Sequence, residues 1–304
     1  VNPSVLGSTG MDTTAVLLAT ALASCLGTLC MAFMANLPFA LSAGMGLNAF
    51  MAYTVVAGYG YSWQVALLAV FIEGLIFIVL SLTNVREAIF NAIPLTLKKG
   101  VSVGIGLFIA FIGLQNSGLC VDSATLVGII SFPENFHTAG ICALLTLIGL
   151  FFTAVFYTRK MKGAILYGIL LTWILGMLCQ VTGLYVPTPD AGFYSLFPSW
   201  GMTDFSKLGL TFGQCFNVDF SAVGIVNFIV VIFSFLFVDI FDTLGTLIGV
   251  ATKAKMLDKD GKLPGIKPAL LADSIATSAG AILGTSTTTT FVESASGVAV
   301  GGRT

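Results

Sequence analysis

Long apolar runs, separated by short polar stretches, cover most of the 304 residues of the chain. Seven of these runs are close to the roughly 20 residues that a helix needs to cross the hydrocarbon core of a bilayer. Each of them therefore predicts one membrane-spanning helix. The seven runs are Thr13–Met34, Ser62–Leu82, Gly100–Leu119, Thr138–Tyr157, Gly163–Gly183, Ser221–Val250 and Pro268–Leu283.

Two further segments have the apolar character of a span but an irregular sequence. Pro38–Val56 is interrupted by "SAGMGLN", and residues 284–302 read "GTSTTTTFVESASGVAVGG". Glycines weaken a helix by ~1 kcal/mol each, and consecutive threonines favour extended backbone. We expect Ala43–Asn48 and Ser286–Phe291 to be non-helical or short strands that lie close together. A pair of broken segments at membrane depth is typical of a transporter binding site.

Composition supports a membrane protein and excludes several other classes. Apolar residues make up 57% of the chain and charged residues 9%, whereas about 25% of a soluble domain is charged. The lipid bilayer is therefore the expected solvent. A net charge of −1 argues against a nucleic-acid partner, and six scattered cysteines indicate neither a metal site nor a disulfide framework. The single histidine, His137, falls in a predicted outer loop, so the sequence predicts no enzyme and no cofactor.

The basic residues give the expected orientation. If each segment crosses the membrane once, twelve of the 13 Lys and Arg residues fall on one side and Lys207 falls on the other. The positive-inside rule makes the basic side cytoplasmic, which fits a multi-pass protein of the plasma membrane. The twelve are Arg86, Lys98, Lys99, Arg159, Lys160, Lys162, Lys253, Lys255, Lys259, Lys262, Lys267 and Arg303.

Five acidic residues lie within or close to the predicted spans. A charge at the centre of a membrane helix costs roughly 2.5–3.5 kcal/mol, so such groups usually serve a function. The alternative is a purely structural role, in which the acids only form hydrogen bonds to neighbouring helices, and we favour this interpretation for Glu73. For Asp273, helix capping or an ion pair explains the residue as well as a function does. The five are Glu73, Asp239, Asp242, Asp273 and Glu293.

Asp239, Asp242 and Glu293 favour a functional interpretation. The first two are three residues apart, which places them on one face of a helix. No Lys or Arg lies within the predicted spans to pair with the three carboxylates. Because burial disfavours the charged form of a carboxyl group, we expect at least one of them to be protonated. A carboxyl group that changes its protonation state suits a proton-coupled carrier.

Four stretches of the sequence resemble one transporter family. "NPSVLGSTGMD", "GMGLNAFMAY", "FVDIFDTLGTLIGVATKA" and "GTSTTTTFVESASGVAVGGRT" are similar to motifs of the adenine/guanine/hypoxanthine permease branch of the nucleobase:cation symporter-2 family. The resemblance runs over essentially the whole chain and keeps the motif order. It implies an all-α polytopic membrane fold of two inverted seven-segment repeats, with short strands in segments three and ten and the nucleobase bound between them. It further implies that this chain runs from the end of segment one through segment ten.

The resemblance also implies a division of the chain into a core domain and a gate domain. Under that division the core domain is interrupted in sequence by the gate helices. The expected parts are residues 1–83 as core (segments two to four), 84–99 as an amphipathic cytoplasmic linker, 100–183 as gate (segments five to seven), 184–220 as an extracellular loop, and 221–304 as further core (segments eight to ten).

Roles for individual residues follow from the resemblance as well. Asp242 matches the family's substrate-side acid, and Glu293 matches the acid that bonds the base. Asn48 matches a polar residue needed at the substrate site. Asp239 matches a second acid, which is expected to act in proton coupling or in site geometry, and Glu293 is expected to contribute to coupling too.

The resulting hypothesis is secondary active import of adenine, guanine and hypoxanthine, by proton rather than sodium symport with alternating access. Phe50 and Phe291 could stack on a purine, although packing is the simpler explanation in a chain with 25 Phe residues. A homodimer is expected because relatives of this fold are often dimers.

The alternatives are a uracil/xanthine-type permease or an anion carrier of the same fold. Three acids with no base in the spans argue against an anion. A passive channel would need a polar face along several helices, whereas here the polar groups are concentrated near the middle of the spans.

Overall fold

The computed structural model describes residues 1–124, 126–198, 201, 203–220, 223–259 and 262–302. The described chain forms two compact units. The first unit combines Val1–Gly106 with the chain from Thr203 onward, and the second unit covers the chain between them, from Leu107. Whether these units correspond to the core and gate domains stays a prediction.

Helices dominate both units, and the strands are short. Three helices are π-helical in part: α2 continues as Met31–Ala35, α3 continues as Phe50–Gly58, and Phe136–Gly140 precedes α8. The strands are β1 Leu41–Ala43, β2 Cys120–Ser123, β3 Leu126–Ile129 and β4 Thr288–Thr290. The helices are α1 Asn2–Gly7, α2 Thr13–Cys30, α3 Met45–Ala49, α4 Trp63–Leu82, α5 Val85–Ala92, α6 Leu95–Asn116, α7 Phe132–Asn135, α8 Ile141–Thr158, α9 Ala164–Val181, α10 Ile225–Ala254, α11 Ile266–Leu283 and α12 Ser294–Ala299.

The helical membrane architecture expected from the apolar runs is confirmed. Among the described residues, seven helices are long and apolar enough to cross a membrane, and Met45–Gly58 is a shorter apolar helix. The boundaries differ in places. Helix α6 begins at Leu95, five residues before the predicted start at Gly100. The predicted start at Ser221 lies outside the described residues, and α10 begins at Ile225.

Strands β1 and β4 join the two irregular segments of the sequence. They pair antiparallel in the register Leu41 with Thr290, Ser42 with Thr289, and Ala43 with Thr288. The backbone N–H of Gly44 extends the ladder by donating to the Thr287 carbonyl at 3.0 Å. Each strand is followed directly by a helix, α3 after β1 and α12 after β4. The two irregular segments therefore meet as short strands, as expected, although β1 overlaps the predicted Ala43–Asn48 tract only at Ala43.

The expectation that all of Ala43–Asn48 is non-helical is wrong. The strand ends at Ala43, Gly44 is extended with φ −66° and ψ 123°, and α3 begins at Met45. The Asn48 N–H donates to the Gly44 carbonyl at 2.9 Å, which closes the first helical turn. The cost of a glycine in that turn is offset because Leu47 is fully buried there.

Helices α4, α10 and α11 form the centre of the first unit. Gly74 on α4 lies directly against Ser278 on α11, where an added Cβ would clash with the serine. This close approach brings the middle of α4 within reach of the tract that precedes β4. Phe77 on α4 and Phe235 on α10 are completely buried in the same region.

An outer segment of the first unit fixes the end of α11 just before β4. The Gly213 N–H donates to the Ile282 carbonyl at 2.7 Å, and the Thr211 hydroxyl donates to the Leu283 carbonyl at 3.1 Å. Lys207 of the same segment pairs with Asp12, the N-cap of α2, at 3.1 Å. The backbone N–H of Ala15 and the Lys207 ammonium hold the pKa of the Asp12 carboxyl below its usual value.

In the second unit, α8 and α9 pack through two reciprocal contacts between a glycine and a threonine. Gly149 faces Thr172, and Gly168 faces Thr153, so neither glycine has room for a Cβ. Strands β2 and β3 form an antiparallel hairpin that the apolar pattern did not predict. His137 is exposed, and its Nδ1 lies 3.1 Å from the Leu184 carbonyl oxygen.

Candidate functional site

The candidate site lies in the first unit, where the strand pair β1–β4 meets α10. Asp242 on α10 is half-buried beside Gly44, at the junction of β1 and α3. A Cβ placed on Gly44 would lie 3.2 Å from Asp242 Oδ2 and 2.9 Å from Thr289 Cγ2. Glycine at position 44 therefore allows the carboxylate to approach the backbone closely. We call the region of Gly44, Asp242, Phe291 and Glu293 the strand-pair site.

Glu293 is the second acid of the strand-pair site. It is the N-cap of α12, it is exposed, and its side chain makes no capping hydrogen bond. Glu293 lies within electrostatic range of Asp242. No described residue donates a hydrogen bond to either side chain. Both acids are therefore available to a ligand in a way that the buried acids of this unit are not.

Asp239 faces a different environment from Asp242, although only three residues separate them on α10. Its side chain is completely buried. It lies 3.5 Å from Arg86 Nη2, and it accepts a hydrogen bond from the Thr243 hydroxyl at 3.2 Å. The structure therefore separates an acid that is engaged by the protein from one that is not.

Arg86 corrects the sequence interpretation on one point. The sequence placed it in a cytoplasmic loop and predicted that no base could pair with the acids of the spans. The side chain is instead 3% exposed, and its guanidinium lies 2.9 Å from Asp273 and 3.9 Å from the centre of the Phe77 ring. Nη1 donates to the Leu270 carbonyl and to the Ser274 hydroxyl. The short helix α5 turns this residue inward, directly after α4 ends.

Asp273 connects this buried cluster to strand β4. One carboxylate oxygen pairs with Arg86 and also lies 3.2 Å from the Thr243 hydroxyl oxygen, whose single proton can be donated to Asp239 or to Asp273. The other accepts from the Thr290 backbone N–H and from the Thr289 hydroxyl, both at 3.2 Å. The structure shows an ion pair at Asp273, which was one of the interpretations left open, and Asp273 also bonds to the strand. A function for Asp273 stays a prediction.

Asn48 occupies a second buried polar network. Its amide nitrogen donates to the side-chain oxygen Oδ1 of Asn2 at 2.5 Å, and its own side-chain oxygen accepts from the Ser286 hydroxyl. Asn2 in turn donates to the Thr285 hydroxyl at 3.0 Å. The Asn48 side chain is completely buried. It joins α1, α3 and the tract before β4, and its substrate-binding role stays a prediction.

The two predicted stacking residues are both half-buried. The Phe50 ring packs edge-on against Phe235, with centroids 4.9 Å apart. Phe291 follows β4, and its backbone N–H donates to the Ala40 carbonyl at 2.9 Å. Phe291 thus lies at the strand-pair site, whereas Phe50 has a packing partner of its own.

Two features of this region were missed by sequence reasoning. The structural role of Arg86 could have been suspected, because "NVREAIF" places it immediately after an apolar span and at the start of a short helix. Thr243, which bridges Asp239 and Asp273, lies one turn after Asp239 on the polar face of α10. In the part of the chain that the structure describes, no group of three or more His, Cys, Asp or Glu side chains is placed to hold a metal ion.

The fold and the site together define a membrane transporter, in which two broken segments meet as paired strands beside acidic side chains. A model described as "Permease family" matches residues 1–304. The chain therefore belongs to this permease family, the nucleobase:cation symporter-2 family that the motifs indicated. Membership in this family indicates a multi-pass protein of the cell membrane.

Curated relatives agree with this assignment. The chain is 47% identical to the guanine/hypoxanthine permease PbuG of Bacillus subtilis, over 96% of this chain and 62% of that protein. It is 39% identical to the adenine permease AdeP of Escherichia coli, over 100% of this chain and 63% of that protein. The chain thus spans less than two thirds of the length of these relatives.

A similar solved structure is the transmembrane domain of BicA, a cyanobacterial bicarbonate transporter. The likeness has a TM-score of 0.56 at 16% identity and covers 99% of this chain and 77% of that one. At this identity the comparison shows the fold alone. The expected fold class, a polytopic helical transporter with short strands in segments three and ten, is confirmed.

The Arg86–Asp273 pair generates a prediction about stability. Replacing Arg86 by Met leaves Asp273 buried without its cation, which costs about 3–5 kcal/mol in comparable pairs. We expect a clearly lower unfolding temperature for R86M in the full-length protein in detergent. R86M combined with D273N should recover part of the loss, because the amide carries no charge.

Arg159 offers a matched control, since it is exposed at the end of α8. R159M should unfold within about 0.5 kcal/mol of the wild type, as is usual for surface substitutions. If R86M is as stable as R159M, the buried cluster does not hold the strand pair in the way described.

Proposed function

We propose that the protein imports purine nucleobases, namely adenine, guanine and hypoxanthine, by proton symport with alternating access. The observation that carries the proposal is the strand-pair site, where Asp242 and Glu293 are left without described hydrogen-bond donors. Relatives named as guanine/hypoxanthine and adenine permeases support the substrate class.

The chemistry of a purine suits this pair of acids. A purine edge presents N–H donors beside ring nitrogens that accept hydrogen bonds. A carboxylate accepts from such N–H groups, and a protonated carboxyl group can also donate. The first turn of α3 has no side-chain cap, so backbone N–H groups there are available to the remaining edge of the base. We propose Asp242 and Glu293 as the residues that bind the base.

The buried acid Asp239 is proposed to act in transport without touching the base. Its carboxylate is directed to Arg86 and Thr243, and a ligand at the strand-pair site would meet Asp242 first. Asn48 is proposed to support the site by holding the tract before β4, because both ends of its amide already have protein partners.

The first alternative, an anion carrier of the same fold, is disfavoured by the strand-pair site. An anion at this site would place its negative charge beside the carboxyl groups of Asp242 and Glu293, and like charges repel each other even where backbone N–H groups are available. Both terminal nitrogens of Arg86 already contact protein acceptors, among them Asp273 and Ser274. A uracil/xanthine-type permease is the other alternative, and substrate competition distinguishes it.

Competition uptake tests the substrate class and the coupling together. The full-length protein in proteoliposomes should accumulate labelled hypoxanthine when an inward proton gradient is imposed. Excess adenine or guanine should suppress the accumulation, uracil should not, and a protonophore should abolish it. Suppression by uracil and xanthine alone would favour the alternative permease, and accumulation that follows a sodium gradient would exclude proton symport.

Substitutions at the three acids should separate binding from coupling. D242N should weaken hypoxanthine binding, because its amide presents donors where the purine N–H needs an acceptor. E293Q should abolish accumulation against a gradient, because the group can no longer titrate, while part of the binding remains. D239N should bind nearly as the wild type does and should transport poorly.

Binding by isothermal titration and uptake by filtration give the two measurements. E134Q is a matched control, since Glu134 is exposed and belongs to the second unit, whereas the acids described above belong to the first. E293Q protein that accumulates hypoxanthine as the wild type does would refute the role given to Glu293.

A further inference from the structure

Glu73 is a buried acid that the proposed mechanism does not use. It lies in the middle of α4 and is completely buried. Its Oε2 accepts a hydrogen bond from the Thr287 hydroxyl at 3.0 Å. Its Oε1 is also buried, and no described residue is within hydrogen-bond reach of it. The bond to Thr287 fits the expectation that Glu73 only contacts a neighbouring segment, but the second oxygen needs a separate explanation.

The surrounding charges do not balance if every acid is ionised. The charged groups that act on Glu73 are Asp239 on α10, Asp273 on α11 and Arg86 on α5. Three carboxyl groups thus share one guanidinium. Because an uncompensated charge away from water is costly, such a cluster is expected to hold at least one proton.

The hydrogen bonds indicate which carboxyl group holds that proton. Asp273 is the best-supported anion, since it contacts Arg86 at 2.9 Å and accepts from the Thr290 N–H and the Thr289 hydroxyl. Asp239 contacts Arg86 at 3.5 Å and accepts from the Thr243 hydroxyl. Among the described residues, Glu73 accepts from a single hydroxyl and has no ion pair. A negative charge is least stabilised at Glu73, so the neutral form costs least there.

We propose that Glu73 carries a proton in this conformation and is a positioning residue that couples protonation to the strand pair. The protonation of Glu73 is independent of the proposed function, and only the role of Glu73 in transport rests on that function. The step is a simple proton exchange. A hydronium ion transfers its proton to the carboxylate, so that one O–H bond of the hydronium breaks, the O–H bond of the carboxyl group forms, and a water molecule is left. The carboxyl O–H bond breaks when a water molecule on the other side of the membrane accepts the proton and becomes hydronium.

Thr287 provides the physical link from Glu73 to the strand-pair site. Its hydroxyl donates to Glu73, and its carbonyl accepts from the Gly44 N–H at 3.0 Å. Gly44 is also the residue that lies against Asp242. When Glu73 loses its proton, the resulting carboxylate needs more hydrogen-bond donors than the neutral group did. Among the described residues, Thr287 is the one residue that donates a hydrogen bond to Glu73. A change at Glu73 therefore acts first on the backbone that borders the proposed base site.

Infrared difference spectroscopy tests the protonation without any substrate. The spectrum of the full-length wild type minus that of E73Q should contain the C=O stretching band of a protonated carboxyl group. In T287V that band should shift to higher frequency, because the carboxyl group loses its hydrogen bond from the hydroxyl. The control E134Q, at an exposed position, should remove carboxylate bands only.

Two infrared results would overturn the proposal. One is the loss of carboxylate bands, rather than the protonated band, in E73Q. The other, which applies even if E73Q fails to fold, is an unshifted band in T287V. Because neither result involves a nucleobase, both are independent of the proposed substrate.

The pH dependence of hypoxanthine binding tests the coupling. If one proton binds together with the base, the affinity for hypoxanthine falls about tenfold for each pH unit above the titration range of the group that takes up the proton. The slope of hypoxanthine affinity against pH should therefore be smaller in E73Q than in the wild type, by a factor of about ten per pH unit. E134Q should have the same slope as the wild type. An unchanged slope in E73Q refutes coupling through Glu73. Wild-type protein that binds no purine at any pH refutes the proposed function instead, and the infrared result still stands.

Discussion

The buried pair between Arg86 and Asp273 is the interaction on which the rest of the site depends. Asp273 faces the guanidinium with one oxygen, and with the other it accepts hydrogen bonds from Thr289 and Thr290 of β4. A two-stranded sheet of three residues a side is not stable alone in water. The ion pair and the ladder to β1 together give β4 hydrogen bonds on both edges, which irregular backbone needs when no water is present.

The same arrangement explains why one helix can supply acids for different purposes. Asp239 and Asp242 are three residues apart on α10, which is slightly less than one full helical turn. Their side chains therefore lie on the same side of the helix but face different neighbours. Asp239 faces the Arg86 cluster, and Asp242 faces the junction of β1 and α3. The positions of Gly44 and Glu73 add to this division. Gly44 leaves room for the Asp242 carboxylate at the strand-pair site. Glu73 is buried and accepts a hydrogen bond from Thr287, whose carbonyl accepts from the Gly44 N–H.

Much of the fold could be predicted from the sequence, because a membrane-spanning helix leaves a long apolar run. The paired strands were also predictable, since four threonines and clustered glycines disfavour a continuous helix in both tracts. Helix α3 was not, because helix formation from Met45 depends on the burial of Leu47 rather than on local preference. The strands of the β2–β3 hairpin are four residues long and show no regular alternation of polar and apolar residues, so nothing in the sequence marked the hairpin.

The principal error concerns Arg86, and its cause is physical. Counting basic residues in loops indicates orientation, but it cannot show that a short helix folds back and directs one of them into the protein. Once Arg86 is placed against Asp273, the acids divide into those with a partner and those without one. The acids proposed to bind the base, Asp242 and Glu293, are the ones that this cluster leaves unpaired, and they were recognised from the sequence.

The most direct test is an electron cryomicroscopy structure of the full-length protein in lipid nanodiscs with hypoxanthine bound. The account predicts density for the base between the first turns of α3 and α12, in contact with Asp242 and Glu293. It also predicts that β1 and β4 remain paired and that Asp273 remains on Arg86. A base bound elsewhere, or a base that contacts Asp239 while the strand pair is separated, would contradict the account.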